Sequence, residues 1–140
     1  MKEVNIKNLN HLTAAADQSG LARLLGLKLT ESGEGWARAE MIVTEDHLNF
    51  YGLTHGAVLY ALADHVCSVA GNSLGRRAVM SQSTAYFFGN PEVGHKIEAR
   101  GRVTFTGRSL GHIEVEVSGE DNKTLLKFTA SIYFLDKEAP

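Results

Sequence analysis

The longest uninterrupted run of mostly apolar positions lies between residues 55 and 72, in the middle of the chain. It contains no proline, and its two glycines stand near its ends. A helix over this run would be on the order of 27 Å long and apolar on nearly every side. The pattern therefore predicts one long, buried helix.

Alternating apolar and polar positions on both sides of this run are typical of β-strands. Residues 27–35 and 36–43 are divided by a glycine-containing turn, which predicts a hairpin before the helix. Strands that follow one another favour an antiparallel sheet, and a single helix can cover one face of it. After the helix we expect a meander of four strands, over residues 78–88, 96–107, 112–119 and 125–135.

The N-terminal segment, residues 1–26, predicts one or two short helices that pack on the rest of the protein and end near Gly26. A chain of 140 residues is long enough for a single core, and no linker or internal repeat divides it. We therefore expect one α+β domain over residues 1–140.

Composition narrows the classes of partner. The net charge is −2 with both signs scattered along the chain, so no nucleic-acid partner is expected. The sequence shows neither the apolar core of a secretory signal nor an apolar run that could span a membrane, and we expect a cytoplasmic protein without a membrane partner. The single cysteine, Cys67, lies in the apolar run and is expected to pack in the core.

Asp64 interrupts the apolar helix. Aspartate has a low helix propensity, and this one lies too far from either end to cap the helix. An ionised carboxylate that is buried without partners is strongly destabilising, so the group needs partners or a raised pKa. One interpretation places Asp64 at a solvated gap or against another chain. The other places it in a cleft as a reacting group.

The start of the same helix predicts a site for a negatively charged oxygen. Thr54 suits the N-cap position, which would leave the N–H groups of His55, Gly56 and Ala57 without partners inside the helix. Those donors and the positive end of the helix dipole favour an oxyanion. Gly56 has no Cβ that would block a close approach, although close packing against a strand would explain this glycine equally well.

The spacing of these two features bears on the oligomeric state. Gly56 and Asp64 are eight positions apart, or about 12 Å along one helix, which is too far for both to reach one carbonyl carbon. If they act together, one subunit provides the carboxylate and another provides the N–H donor. A two-fold axis would then create two equivalent sites, so at least a homodimer is expected.

Residues 47–64, HLNFYGLTHGAVLYALAD, closely resemble the signature of the hotdog-fold acyl-CoA thioesterases, in particular the phenylacetyl-CoA thioesterase-like group. Residues 85–94 resemble that family's Phe-x-x-Pro-x-x-x-Gly segment, and residues 112–134 resemble its closing hairpin. The resemblance covers about residues 20–135. It implies a hotdog fold, in which a five- or six-stranded antiparallel sheet wraps the long helix, and a homodimer with joined sheets. Such dimers often pair into a homotetramer.

The resemblance also implies an activity, the hydrolysis of an acyl-CoA with a small or aromatic acyl group, without a cofactor. In the family, the backbone N–H of the residue matching Gly56 polarises the thioester carbonyl. The aspartate matching Asp64, from the facing subunit, is the nucleophile or the general base. The residue matching Asn49 holds that aspartate or its water, and the residue matching His55 lies beside the thioester. Gly52 is also in register and is a candidate substrate contact.

Two positions depart from the family pattern. Ala57 stands where a second glycine is usual and is expected to narrow the mouth of the site. Asn90 takes the place of the usual proline, which is displaced by one position. Several relatives also carry a hydroxyl on the strand after the helix. Because the matching position is either Met80 or Ser81, Ser81 and its neighbour Ser83 are both candidate substrate contacts.

Basic and aromatic residues are the candidates for binding the rest of the substrate. The turn at residues 104–111 often contacts the nucleotide in this family, which makes Arg108 a candidate contact for the CoA phosphates. Arg76 and Arg77 follow the helix and are weaker candidates. Three aromatic residues either line an acyl pocket or belong to the core, namely Tyr60, Tyr86 and Phe87.

The six histidines show no ligand spacing, and we expect no metal site. Two other functions stay open beside hydrolysis. One is a non-catalytic acyl-CoA-binding protein, and the other is a hotdog enzyme that hydrates or dehydrates acyl thioesters. The sequence does not identify the acyl group.

Overall fold

The computed structural model describes residues 6–138 of the chain, so residues 1–5 of the predicted N-terminal segment and residues 139–140 of the predicted domain lie outside it. The described part of that segment forms two helices, α1 (Ile6–Asp17) and α2 (Gly20–Leu25). Gly26 ends α2 in the left-handed conformation, with φ 76°, which confirms the predicted end.

The predicted long helix is α3 (Gly56–Asn72), and it lies across one face of the sheet. Its buried side chains pack on those of β-strands on that face, and together they form the core. Cys67 is buried among them, as its place in the apolar run predicts. Burial of this apolar surface is the main source of stability of the helix, because its sequence is apolar on most of its sides.

Six strands form one antiparallel sheet, which confirms the α+β hotdog architecture and the upper of the two expected strand numbers. Short 3-10 helices at Glu45–His47 and Glu120–Asn122 lie in the connections. The strands are β1 (Lys28–Gly33), β2 (Trp36–Ile42), β3 (Arg76–Phe87), β4 (Lys96–Thr106), β5 (Leu110–Ser118) and β6 (Thr124–Glu138).

The order of the strands differs from the expected meander. The sheet runs β1-β2-β4-β5-β6-β3, so β4, β5 and β6 form a meander while β3 pairs with β6 instead of β4. The prediction was wrong for β3 because α3 crosses the sheet between β2 and β3. It delivers the chain to the edge beyond β6, and the connection after β3 returns to β2, where β4 pairs.

The helix packs closely on the sheet at Gly101 of β4. A Cβ placed on this glycine would lie 2.6 Å from Cγ1 of Val66 on α3 and 2.9 Å from Cγ2 of Val115 on β5. Contacts that short do not occur between carbon atoms at equilibrium. Glycine at this position therefore permits the close packing that holds the middle of α3, where Asp64 lies, against the sheet.

Candidate active site

Asp64 lies in the middle of α3, and its side chain is partly buried. It lines an open groove of about 330 Å³ between α3 and the first half of β3. Asp64 therefore faces a groove that other molecules can enter. The remaining residues that line the groove are mostly apolar: Cys67, Ser68, Asn72, Ala78, Val79, Met80 and Ile132.

Burial changes the acidity of the two titratable side chains in this groove. It raises the pKa of the Asp64 carboxyl above its ordinary value, and the nearby His65 opposes this rise. Burial, together with the negative charge on Asp64, raises the pKa of the Cys67 thiol to about 12. A carboxylate with a raised pKa is a stronger base than an ordinary one, whereas the thiol stays protonated.

His55, and not Thr54, is the N-cap of α3. The His55 Nδ1 accepts a hydrogen bond of 3.1 Å from the Ala57 N–H. The prediction for Thr54 was wrong because its hydroxyl donates to the Pro91 carbonyl at 2.7 Å and is not available to the helix. The His55 N–H is also occupied, since it donates to the carbonyl of His47 at 2.8 Å.

Three N–H groups at the start of α3 were predicted to be available, and of these only the N–H of Gly56 is. Within residues 6–138 its N–H makes no hydrogen bond, whereas those of His55 and Ala57 are both occupied. One side of Gly56 is covered by the ring of Phe87 on β3, because a Cβ on Gly56 would lie 3.2 Å from the Phe87 Cε1. The close contact of Gly56 with a strand is thus confirmed, and its N–H stays a candidate donor.

Asn49 and Gly52 shape the loop that leads to α3. The Asn49 Oδ1 accepts hydrogen bonds from the N–H groups of Tyr51 (2.9 Å) and Leu53 (3.1 Å), and the Asn49 N–H donates to the Leu53 carbonyl at 2.7 Å. Gly52 has φ 76°, a conformation that glycine adopts without strain. The side-chain oxygen of Asn49 is therefore committed to the loop, which leaves its amide Nδ2 as the group with hydrogens to donate.

Sequence reasoning did not assign a role to Asn90, and the structure shows that it holds the start of α3. Its Oδ1 accepts the Thr54 N–H at 3.1 Å, and its Nδ2 donates to the Thr54 carbonyl at 2.9 Å. This pair of bonds fixes the backbone two residues before Gly56. The departure from the family's proline was the signal that could have revealed it, because a side-chain amide can bind both backbone groups at once.

The two serine candidates have different surroundings. The Ser83 hydroxyl is hydrogen-bonded to the Tyr60 hydroxyl at 2.6 Å, so it faces α3 one helical turn before Asp64. The Ser81 hydroxyl donates to the Ser131 carbonyl of β6 at 3.1 Å, next to a bulge in β3. Of the two, Ser83 is the one that lies between helix and strand.

The basic candidates lie at the other end of α3. Arg108 is exposed in the turn between β4 and β5, and its carbonyl accepts a hydrogen bond from the guanidinium of Arg76. The same guanidinium stacks on the ring of Phe134, with its central carbon 4.0 Å from the ring centroid. Arg76 thus has a structural role. Within one chain, Arg108 and the N–H donor of Gly56 therefore lie near opposite ends of α3.

Comparison with known proteins shows the family to which the chain belongs. Residues 51–126, more than half of the chain, match the thioesterase superfamily. The chain belongs to this superfamily. The acyl-coenzyme A thioesterase PaaI of Escherichia coli K12 is 31% identical over 115 residues, which are 82% of this chain and 82% of that protein.

Solved structures agree with this membership. The structure of E. coli PaaI, from the phenylacetic acid degradation operon, has a TM-score of 0.90 at 27% identity and covers 97% of this chain and 99% of that one. A hypothetical thioesterase protein of Streptococcus pneumoniae TIGR4, solved with coenzyme A, has a TM-score of 0.76 at 20% identity, with 81% and 91% covered. The hotdog fold and the resemblance to the phenylacetyl-CoA-type thioesterases are confirmed.

Two further findings describe this thioesterase. Among residues 9–136, whose side chains the structure describes, no group of three or more His, Cys, Asp or Glu is placed to hold a metal ion. None of the helices in the described residues is long and apolar enough to cross a membrane.

Proposed function

We propose that the protein hydrolyses acyl-CoA thioesters, with a small or aromatic acyl group, to the free acid and CoA. The observation that carries the proposal is Asp64, a partly buried carboxyl group with a raised pKa that faces a groove on the central helix of a thioesterase fold. Support comes from PaaI, a relative over 82% of this chain that is named as an acyl-coenzyme A thioesterase.

The proposed chemistry uses the groups at the two ends of the Gly56-to-Asp64 segment. Asp64 either removes a proton from water, which adds to the thioester carbon, or adds to that carbon itself. The Gly56 N–H donates to the carbonyl oxygen as it becomes negative. The carbon–sulfur bond then breaks and CoA leaves as the thiolate. In the first route this step gives the free acid, and the proton accepted by Asp64 passes to the thiolate. In the second route it leaves an acyl–Asp64 anhydride, which water hydrolyses to the free acid and Asp64.

The proposed site is shared by two subunits, because α3 holds Asp64 and Gly56 about 12 Å apart in one chain. Strand β3 lies at the edge of the sheet, where its backbone groups are available to a second copy. Large apolar side chains on and next to this edge are exposed, which favours an interface and a homodimer. They are Val79, Met80, Tyr86, Phe87 and Phe88.

The proposal extends to a homotetramer formed by two such dimers, and to a cytoplasmic location, where acyl-CoA esters are produced and consumed. Supporting roles are proposed for the other candidates. The Asn49 amide and His55 would contact the reacting groups of the facing subunit. The substrate would be contacted by Gly52, Ala57, Ser81, Ser83 and Arg108.

The test of the proposed function is the substitution Asp64→Asn, measured for turnover and for stability in the same preparation. Asparagine has nearly the same shape but is neither a base nor a carboxylate nucleophile. Release of CoA thiol from a panel of acyl-CoA esters should fall by about 10²- to 10⁴-fold in kcat. The melting temperature should stay equal or rise, because burial no longer opposes a charge.

The alternatives give other results in the same experiments. A structural aspartate predicts a destabilised variant whose folded fraction keeps near-wild-type kcat. Wild-type protein that binds acyl-CoA tightly but releases no thiol would be a binding protein. Wild-type protein that adds or removes water in the acyl chain, with the thioester intact, would be a hydratase or dehydratase.

A further inference from the structure

The imidazole of His65 links helix α3 to helix α1. His65 directly follows Asp64 on α3. Its Nε2 lies 3.0 Å from Oδ1 of Asp17, the last residue of α1. The His65 side chain is only 8% exposed, whereas that of Asp17 is 31% exposed. An imidazole in such a position has little freedom to turn away from its partner.

Asp17 is itself held by the backbone of the sheet. The Leu29 N–H, on β1, donates to both carboxylate oxygens, at 3.1 Å to Oδ1 and 3.2 Å to Oδ2. Asp17 therefore links α1, β1 and α3 through one carboxylate. Because hydrogen bonds in such a chain reinforce one another, the ring of His65, the residue that follows Asp64 on α3, has a fixed position.

Few charged groups surround this ring in the described part of the chain. Asp17 faces it from α1, Asp64 precedes it on α3, and His11 on α1 is exposed. Strand positions turned toward α3 are apolar, and charged side chains alternate with them on the opposite face of the sheet. The apolar positions include Leu29, Ala37, Ala39, Met41, Ala78, Ala99, Ile113, Val115 and Phe128.

We infer that His65 is a positioning residue for the thioesterase reaction, and that Asp17 fixes its ring so that a charged imidazole beside Asp64 favours the ionised, reactive carboxylate. The inference rests on the proposed role of Asp64 in hydrolysis. His65 opposes the rise that burial causes in the pKa of Asp64, in agreement with this role. Helix α1 thereby contributes to the site without contacting the substrate.

The positive charge that opposes the burial-driven rise in the pKa of Asp64 is carried by the imidazole of His65. Loss of this charge would raise the pKa of Asp64 further, since burial would then act unopposed. This rise in the pKa of Asp64 should appear as a shift of the acidic limb in the profile of kcat/KM against pH. A residue that only anchors α1 would change stability and leave this limb where it is.

The test compares His65→Gln with His65→Lys. Glutamine can still donate a hydrogen bond to Asp17 but carries no charge, whereas lysine keeps a positive charge near Asp64. The acidic limb of His65→Gln should move to higher pH, so that its activity on that limb, relative to its own plateau, falls by about threefold or more. The limb of His65→Lys should stay close to that of the wild type.

The matched control is His11→Gln, which removes an exposed histidine from α1 and should leave the profile unchanged. Melting temperature and oligomeric mass are measured for every variant. If His65→Gln does not fold, His65→Thr provides a smaller uncharged side chain for the same comparison. An unmoved limb in the uncharged variant, or an equal shift in His65→Lys, would overturn the inference and leave hydrolysis by Asp64 intact. Wild-type protein that hydrolyses no acyl-CoA would remove the proposed function, and this inference with it.

Discussion

At the scale of single residues, Asp64 combines an unfavourable position with the proposed role of reacting group. The carboxyl lines an open groove, yet burial raises its pKa above its ordinary value of 3.8. Below that value the group is neutral in the folded and the unfolded chain, so it has no effect on their balance. Above the raised pKa the group is ionised in both states, and the folded state carries the unfavourable burial of a charge.

This reasoning predicts how the stability of Asp64→Asn depends on pH. The folded wild type binds more protons than the unfolded chain between pH 3.8 and its raised pKa, so its stability falls as pH rises through that window. Asparagine does not titrate. The melting temperature of the variant minus that of the wild type should therefore grow from acidic pH upward and then become constant, as followed by thermal unfolding at a series of pH values. A difference independent of pH would show that the folded state does not disfavour the charge.

For single residues, the sequence led to specific candidates and also to a wrong prediction of the N-cap. Asp64 and Gly56 are candidates because a charge in an apolar helix and a glycine at its start conflict with local preferences. The cap was assigned to Thr54 because threonine is a common N-cap, but its hydroxyl donates to the Pro91 carbonyl. That bond depends on a loop 37 positions later in the chain, which local preferences do not describe.

At the scale of elements, the periodicity of the sequence predicted the helices and strands, but not the neighbours of β3. Periodicity reports which side of a strand is buried, and it carries no information on which strand lies beside it. The pairing of β3 with β6 follows from the path of α3 across the sheet. The link between Asp17 and His65 was not predicted for the same reason, because it joins two elements through one contact between distant positions.

Packing between elements is tested by Gly101→Ala. The added methyl group would collide with the side chains of Val66 and Val115, so α3 or its neighbours must shift. Overpacking of this kind should lower the free energy of unfolding by about 1–3 kcal/mol in chemical denaturation. Gly20→Ala is the matched control, because no atom beyond the neighbouring residues and backbone of its own helix lies within 4 Å of the added Cβ. It should change stability by less than about 0.5 kcal/mol. Equal stability of both variants would contradict the close contact between α3 and β4.

At the scale of the whole molecule, the separation of Asp64 and Gly56 makes the assembly part of the proposed site. A pair of inactive variants tests this arrangement. Asp64→Asn removes the carboxylate and Gly56→Val obstructs the N–H donor, so each variant alone should be inactive. When the two are unfolded together and refolded as a mixture, each mixed dimer contains one intact site. About a quarter of the wild-type activity should return if pairing is random.

Two controls accompany the mixing experiment. Each variant is refolded alone by the same procedure, and the mass of every sample in solution is measured. Activity that stays absent in mixtures shown to contain mixed dimers would mean that one chain supplies both groups. A wild-type monomer that hydrolyses acyl-CoA would lead to the same conclusion.

The two hydrogen bonds between Asn90 and Thr54 bear on the order in which the parts of the proposed site form during synthesis. It joins positions 36 residues apart, so the backbone before Gly56 is fixed only after the strand that ends at Phe87 has left the ribosome. Contacts between distant positions also form late in folding, because closing the long loop between them is entropically costly. Helix α3, with its carboxylate, can form earlier from local contacts. A nascent chain would thus carry the proposed reacting group well before the proposed N–H donor is in place, and hydrolysis would begin only with the finished sheet.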